Sequence, residues 1–268
     1  KTTVYVGILM GIYALVILFT QNVDLKSFPS NFLRYLPVAL CYIVSMILSY
    51  FGVRFIQESI SDPIENSSGA LVAILCAIFL KETFTLPAIA GIILVAIGII
   101  CIGIFDKKGK DERKTKLGKK LAIFSISMPF CYMLLDAVGT FLDIFYTEDV
   151  ESTILINVNE QNLEHTANCA YELTFFLIAI ALFIFLKIKK EKLFSISSET
   201  ENDNCKAIKK KWYSGILEQK WKILAAVFEV IGQATYLFAL SSGGGIAAVI
   251  LGAGTVIVSL LLSRIFLK

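Results

Sequence analysis

Eight stretches of the sequence are long and apolar enough to cross a lipid bilayer. A transmembrane helix needs about 20 mainly apolar residues, because the hydrocarbon layer is about 30 Å thick and a helix rises about 1.5 Å per residue. The stretches are residues 4–20, 35–55, 63–81, 87–105, 121–146, 168–186, 223–240 and 246–267. Hydrophobic residues form 56% of the chain, and the mean hydropathy is +0.74, well above that of an average soluble domain. The sequence therefore predicts an all-α integral membrane protein, and no stretch has the features of a removed leader.

The basic residues are concentrated in two segments. Residues 106–120 and 187–222 hold 18 of the 25 Lys and Arg residues, whereas residues 146–166 contain five acidic residues and no Lys or Arg. Short basic loops stay on the cytoplasmic side of a membrane. We therefore expect both basic segments in the cytoplasm and the acidic loop outside. The net charge of +3 follows from this bias and does not indicate a nucleic-acid partner.

Histidine and cysteine offer little material for catalysis. His165 is the only histidine. The six cysteines, at positions 41, 76, 101, 131, 169 and 205, form no CxxC pair and no metal-ligand spacing. We expect them to act as small buried hydrophobic residues. The sequence therefore predicts no metal site, no cofactor and no enzymatic activity.

The two halves of the chain share a weak internal similarity. Residues 49–81 align without a gap on residues 236–268, with Phe51 opposite Phe238 and Ile-Phe-Leu-Lys at the end of each segment. Each copy contains a helix end, a small or polar turn and a helix rich in small residues. Chance similarity between two apolar helix pairs is the alternative. Duplicated halves are common in secondary transporters, because two related bundles can move against each other around a central site.

Residues 61–105 carry a pattern of proline, turn and glycine positions. A small-residue helix after the proline leads to a Lys-Glu turn, and a glycine-punctuated helix follows. The matching positions are Pro63, Asn66, Gly69, Lys81, Glu82, Gly91 and Gly98. In this pattern the chain resembles the drug/metabolite transporter superfamily in its EamA-like form, and the resemblance covers nearly the whole chain.

The resemblance implies a helical bundle of two five-helix inverted repeats. Residues 1–105 would form the first repeat, residues 106–120 a cytoplasmic linker, and residues 121–268 the second repeat, with loops 146–166 and 187–222 inside it. The eight apolar stretches would correspond to family helices two to nine. One family helix then has no counterpart at each end of the sequence.

Polar residues follow one face of two predicted helices. An Asp at the centre of a membrane helix costs about 2.5–3.5 kcal/mol on insertion scales, so such residues usually face a cavity or a partner. Tyr132, Asp136 and Asp143 share a face of one helix. Glu229, Gln233 and Tyr236, spaced four and then three residues apart, share a face of another helix, and both stripes are expected to face inward.

We predict that the residues of these stripes other than Asp143, together with three further residues, form a substrate site. Glu172 adds an acid near the outer end of its helix, and Glu65 with Asn66 opens the small-residue helix of the first half. The predicted substrate-binding residues are Tyr132, Asp136, Glu172, Glu229, Gln233, Tyr236, Glu65 and Asn66. The alternative for each acid is a carboxylate at headgroup level or one paired with Arg54.

Two groups of glycines are also informative. Gly7 and Gly11 form a small-xxx-small pair, which predicts close helix packing. Gly243, Gly244 and Gly245 precede the last predicted helix. This run of glycines is either a hinge that takes part in gating or a plain loop.

Taken with the resemblance, these residues predict a secondary active transporter of the cell membrane, a bacterial inner or plasma membrane. It would move a small polar metabolite by alternating access. Three candidate acids favour a cationic or zwitterionic substrate, such as an amine or amino acid, or coupling to protons. Its expected partners are that substrate and the lipid bilayer, as a monomer or a dimer. The alternatives are an integral-membrane enzyme or lipid-handling protein, and a membrane-embedded interaction or sensor protein.

Overall fold

A computed structural model describes residues 2–52, 58–105, 119–148, 150–151, 153–189 and 220–266. These residues contain helices and no strand. The α-helices are α1 (Thr2–Thr20), α2 (Phe28–Gly52), α3 (Glu58–Glu65), α4 (Ser68–Leu75), α5 (Leu86–Phe105), α6 (Lys119–Thr147), α7 (Leu163–Ile188) and α8 (Lys220–Phe266). A π-helical turn, Cys76–Leu80, continues α4. Arg54, Cys205 and most of both basic segments lie outside the described residues.

The prediction of an all-α integral membrane bundle is confirmed. Each of the eight apolar stretches coincides with helix in the described part of the chain. Within that part, six helical stretches are long and apolar enough to cross a membrane. They are Thr2–Thr20, Phe28–Gly52, Ser61–Leu80, Ser127–Thr147, Leu163–Ile188 and Lys220–Val258.

Helices α2, α3 and α7 begin five or more residues earlier than their apolar stretches. Helix α2 begins at Phe28, and its polar first turns bind the acidic loop 146–166: Asn31 exchanges hydrogen bonds with the backbone of Ile156, and Arg34 donates to the carbonyl of Ile154 at 2.6 Å. Helix α7 begins at Leu163 rather than at residue 168. Hydropathy alone misses such turns, since their polar side chains are satisfied by tertiary contacts.

The last two predicted helices meet at a kink within α8, which therefore consists of two helical arms. Inside α8, Gly244 has φ 53° and ψ −143°, a backbone conformation that is essentially restricted to glycine. The carboxylate of Glu82, in the turn before α5, accepts a hydrogen bond from the backbone N–H of Gly245 at 3.3 Å. The glycines therefore form a kink between two helical arms, and its role as a hinge stays a prediction.

Small residues allow the helices to pack closely. A Cβ added to Gly11 would lie 2.5 Å from the ring of Phe176, and one added to Gly7 would overlap Ala179. The close packing predicted for this pair is confirmed, and it joins α1 to α7. A Cβ on Gly69 of α4 would lie 2.6 Å from the carbonyl oxygen of Ala248 in α8. Both pairs join helices from the two predicted repeats.

The contact between the α4 region and α8 joins nearly equivalent positions of the two aligned segments. A Cβ on Gly252 would lie 2.8 Å from the carbonyl oxygen of Asn66. In the alignment of residues 49–81 with 236–268, Asn66 corresponds to Ala253, the neighbour of Gly252. Contact between near-equivalent positions is what a two-fold relation would produce. The division into two repeats itself stays a prediction.

Candidate functional site

A large cavity lies among α2, α4, α6, α7 and both parts of α8. Its volume is about 1220 Å³, enough for a small metabolite with its water. The wall carries polar side chains from each of these helices. They are Ser45, Asn66, Ser68, Tyr132, Asp136, Tyr171, Glu229, Gln233, Tyr236 and Thr255, together with Tyr42.

Six of the eight predicted residues line this cavity. They are Asn66, Tyr132, Asp136, Glu229, Gln233 and Tyr236. The stripe on α6 and the stripe on α8 therefore meet across one space. Asp136 and Glu229, the two acids of the set, both lie on its wall. Their role in binding a substrate stays a prediction.

Asp136 is held in place from the neighbouring helix. The hydroxyl of Ser68, at the beginning of α4, donates to Oδ2 of Asp136 at 2.7 Å. One turn along α6, Thr140 Oγ1 and the hydroxyl of Tyr236 lie 3.3 Å apart. The Ser68 hydroxyl thus holds the Asp136 carboxylate from one side, and the carboxylate still forms part of the cavity wall.

Glu65 and Glu172 do not lie on the cavity wall. The side chain of Glu65 accepts hydrogen bonds from the hydroxyls of Ser49, at 2.7 Å, and Ser61. Glu172 is fully buried, and neither of its carboxylate oxygens has a hydrogen-bond partner among the described residues. It lies between Cys169, whose thiol contacts the Ala14 carbonyl, and Phe176 on the side of α7 that packs on α1.

The cavity wall also contains residues that the sequence interpretation missed. Tyr171 lines the cavity instead of its neighbour Glu172, because adjacent positions in a helix point about 100° apart. Tyr42 and Ser45 of α2, spaced three apart, are a second omission. Their spacing was a signal of a shared face, but no charged residue marks that face.

Asp143 shares a sequence stripe with Asp136 but lies outside the large cavity. Its side chain is buried, with 2% of its surface exposed. The hydroxyl of Tyr35 donates to its Oδ1, and the hydroxyl of Tyr42 lies 3.4 Å from its Oδ2. Seven residues are nearly two helical turns, so the stripe extends past the cavity into a second polar cluster.

We expect Glu172→Gln to stabilise the protein without affecting its transport activity. A buried carboxylate without hydrogen bonds is far more costly than a neutral amide of the same shape. The substitution should raise the free energy of unfolding by about 1–3 kcal/mol. Thermal unfolding in detergent would measure it, with Glu160→Gln in the exposed outer loop as control. A lower unfolding temperature, or a transport defect, would contradict the placement of Glu172 away from the site.

The helices and the polar cavity define a multi-pass α-helical membrane protein. The model of the EamA-like transporter family matches residues 1–104. Over these residues the chain is similar to the EamA-like transporter family, the family that the pattern of residues 61–105 resembles. Members of the family are transporters.

The chain is also similar to an uncharacterised protein of Methanocaldococcus jannaschii. The two sequences are 36% identical over 66 residues. The match covers 25% of this chain and 48% of the relative's length. The chain therefore spans about half the length of the curated relative that it matches.

Proposed function

We propose that the protein is a secondary active transporter that moves a small cationic or zwitterionic metabolite across the cell membrane by alternating access. The observation that carries this proposal is the presence of two carboxylates, Asp136 and Glu229, on the wall of one cavity of about 1220 Å³. No basic residue is found among the described residues of that wall. Such a wall attracts positive charge and repels anions.

The tyrosines of the wall support an ammonium group as the charged part of the substrate. Tyr42, Tyr132, Tyr171 and Tyr236 all line the cavity. In addition to a carboxylate, an ammonium group can bind the face of an aromatic ring. Each such ring contributes about 0.5–2 kcal/mol of binding free energy. Carboxylates and tyrosine rings together therefore favour amines and amino acids over sugars.

Neutral donors in the same cavity could bind the carboxylate of a zwitterion. The hydroxyl of Tyr171 has no hydrogen-bond partner among the described residues. The side chains of Gln233 and Asn66 supply amide N–H groups to the same wall. An amino acid would then place its ammonium group at the acids and its carboxylate at these donors. A dicarboxylate or a sugar phosphate has no complementary cation there.

Helix α8 supplies a structural basis for alternating access. Glu229, Gln233 and Tyr236 precede the kink at Gly244, whereas Gly252 and Thr255 follow it. The two arms on either side of the kink thus both form part of the cavity wall. Bending at Gly244 would change the width of the cavity without breaking either arm.

Uptake into proteoliposomes tests the substrate class. Purified protein is reconstituted and supplied in parallel with labelled amines, neutral amino acids, a dicarboxylate and a sugar phosphate, with and without a proton gradient. We expect uptake of an amine or an amino acid and none of the two anions. Faster uptake with an imposed gradient would support proton coupling. Transport of the anions alone would contradict the proposed substrate class.

A further inference from the structure

A second polar void lies one and a half to two helical turns from the large cavity, among α2, α6, α7 and the first arm of α8. Its volume is about 10 Å³, the space of a single water molecule or a monovalent ion. We call it the acidic void. The polar residues on its wall are Tyr35, Asp143, Thr147, Glu164, Asn168 and Ser241.

Asn168 is a buried amide without a partner. Only 1% of its surface is exposed, and neither the oxygen nor the nitrogen of its side chain has a hydrogen-bond partner among the described residues. An unsatisfied buried polar group is rare, because it loses its bonds to water without replacement. Asn168 lines the acidic void, so its amide oxygen is a free ligand beside two carboxylates.

The two carboxylates of the void are only partly satisfied. Asp143 accepts the hydroxyl of Tyr35, and its Oδ2 has the more distant hydroxyl of Tyr42 at 3.4 Å. The hydroxyl of Ser241 reaches Oε1 of Glu164 and also lies 2.9 Å from the carbonyl oxygen of Phe238. Its single proton serves only one of these acceptors at a time.

The described wall of the acidic void does not neutralise the negative charge of its two carboxylates. No basic residue is present among the described residues that line it. Two negative groups facing one space of low dielectric repel each other strongly unless a positive charge lies between them. The ligand set is made of oxygen atoms, which suits a hard cation.

We propose that the acidic void binds a sodium ion, with Asp143, Glu164 and the amide oxygen of Asn168 as its ligands. The size of the void selects a monovalent ion. Mg²⁺ usually keeps several of its waters, and Ca²⁺ takes six to eight oxygen ligands, so neither fits a space of about 10 Å³. A sodium ion in this position contacts α6 and α7 together and fixes the Glu164 end of α7 beside α8.

The acidic void is linked to the large cavity by a contact between residues of the two walls. Tyr42 lines the large cavity, and its hydroxyl faces Asp143 of the void. Thr140 and Tyr236 lie between the two spaces, and Ser241 follows Tyr236 by five residues in α8. An ion in the void would therefore orient the cavity wall. Its use as a coupling ion rests on the proposed function, whereas its binding does not.

Thermal unfolding of the purified full chain in detergent tests sodium binding without a substrate. The midpoint is measured over a series of NaCl concentrations, with potassium chloride keeping the ionic strength constant, because an organic ammonium ion would belong to the proposed substrate class. A ligand at a hundredfold its dissociation constant raises the midpoint by on the order of 5 °C for a chain of this size. We expect such a rise for wild type and for Glu160→Gln, an exposed acid of the outer loop. We expect none for Glu164→Gln or Asn168→Leu.

Binding of radioactive sodium to the same samples gives a second measurement. It is informative even where a variant has a different baseline stability. An equal midpoint in sodium and potassium for wild type, with no bound radioactive sodium, would overturn the proposal. An unchanged sodium response in both variants would also overturn it. Sodium binding without any metabolite uptake would leave this site standing and would count against the transporter proposal alone.

Discussion

Asp136→Asn should reduce substrate uptake by about ten- to a hundredfold while the protein remains folded. The change removes one negative charge from the cavity wall and keeps the shape of the side chain. A hydrogen bond to a charged group contributes about 1.5–3 kcal/mol, and each 1.4 kcal/mol corresponds to a tenfold change in binding. Uptake of the identified amine or amino acid into proteoliposomes is the measurement.

Controls separate the loss of charge from the loss of structure. Ser68 can still donate to the amide oxygen at position 136, so the contact of α4 with α6 should persist. Size-exclusion chromatography and thermal unfolding are expected to be close to wild type. Glu160→Gln removes an exposed outer acid and should transport normally. Full activity of Asp136→Asn would remove Asp136 from the binding site and leave the cavity without its central group.

The membrane helices were predictable because apolar length is a property of each segment by itself. The residues at which these helices begin and end were less predictable. Asn31 and Arg34 belong to α2 only because the outer loop supplies their hydrogen-bond partners. That information lies more than 100 residues away along the chain, and no local pattern contains it.

The candidate site was predictable where two polar residues mark one helical face. Asp136 with Tyr132, and Glu229 with Gln233, each define a face by spacing alone, and both faces meet at the cavity. A single acid does not define a face in this way. Glu172 lies on the side of α7 that packs against α1, while its neighbour Tyr171 faces the cavity.

Asp143 shows a different limit of the same reasoning. Its spacing from Asp136 indicates the correct face of α6, but the spacing contains no information on how far the cavity extends along the helix. Tyr35 and Tyr42 of α2 close the space around Asp143 and separate it from the large cavity. The stripe on α6 therefore faces two polar spaces, which the sequence alone does not distinguish.

Gly244→Ala should destabilise the protein and slow transport together. The φ angle of 53° at this position is strained for any residue with a Cβ, which costs about 1–3 kcal/mol. The added Cβ would also lie 3.2 Å from Oε1 of Glu82, tighter than ordinary van der Waals contact. Relief of this strain straightens α8 or displaces Glu82 from Gly245. Thermal unfolding and uptake of the same substrate measure the two effects.

Gly91→Ala is the matched control, because a Cβ at Gly91 in α5 would meet no atom within 4 Å. In a regular helix this change should be neutral or stabilising by about 0.5–1 kcal/mol, since glycine loses more backbone entropy on folding.

A second variant, Glu82→Gln, separates the effect of backbone strain from the effect of bending. Its amide oxygen can still accept the hydrogen bond from Gly245, although more weakly, and the change adds no Cβ at the kink. If bending at Gly244 controls access, Gly244→Ala slows uptake well beyond its loss of folded protein, whereas Glu82→Gln changes uptake modestly. Unchanged transport by folded Gly244→Ala would show that α8 keeps one shape throughout the cycle and that the cavity opens elsewhere.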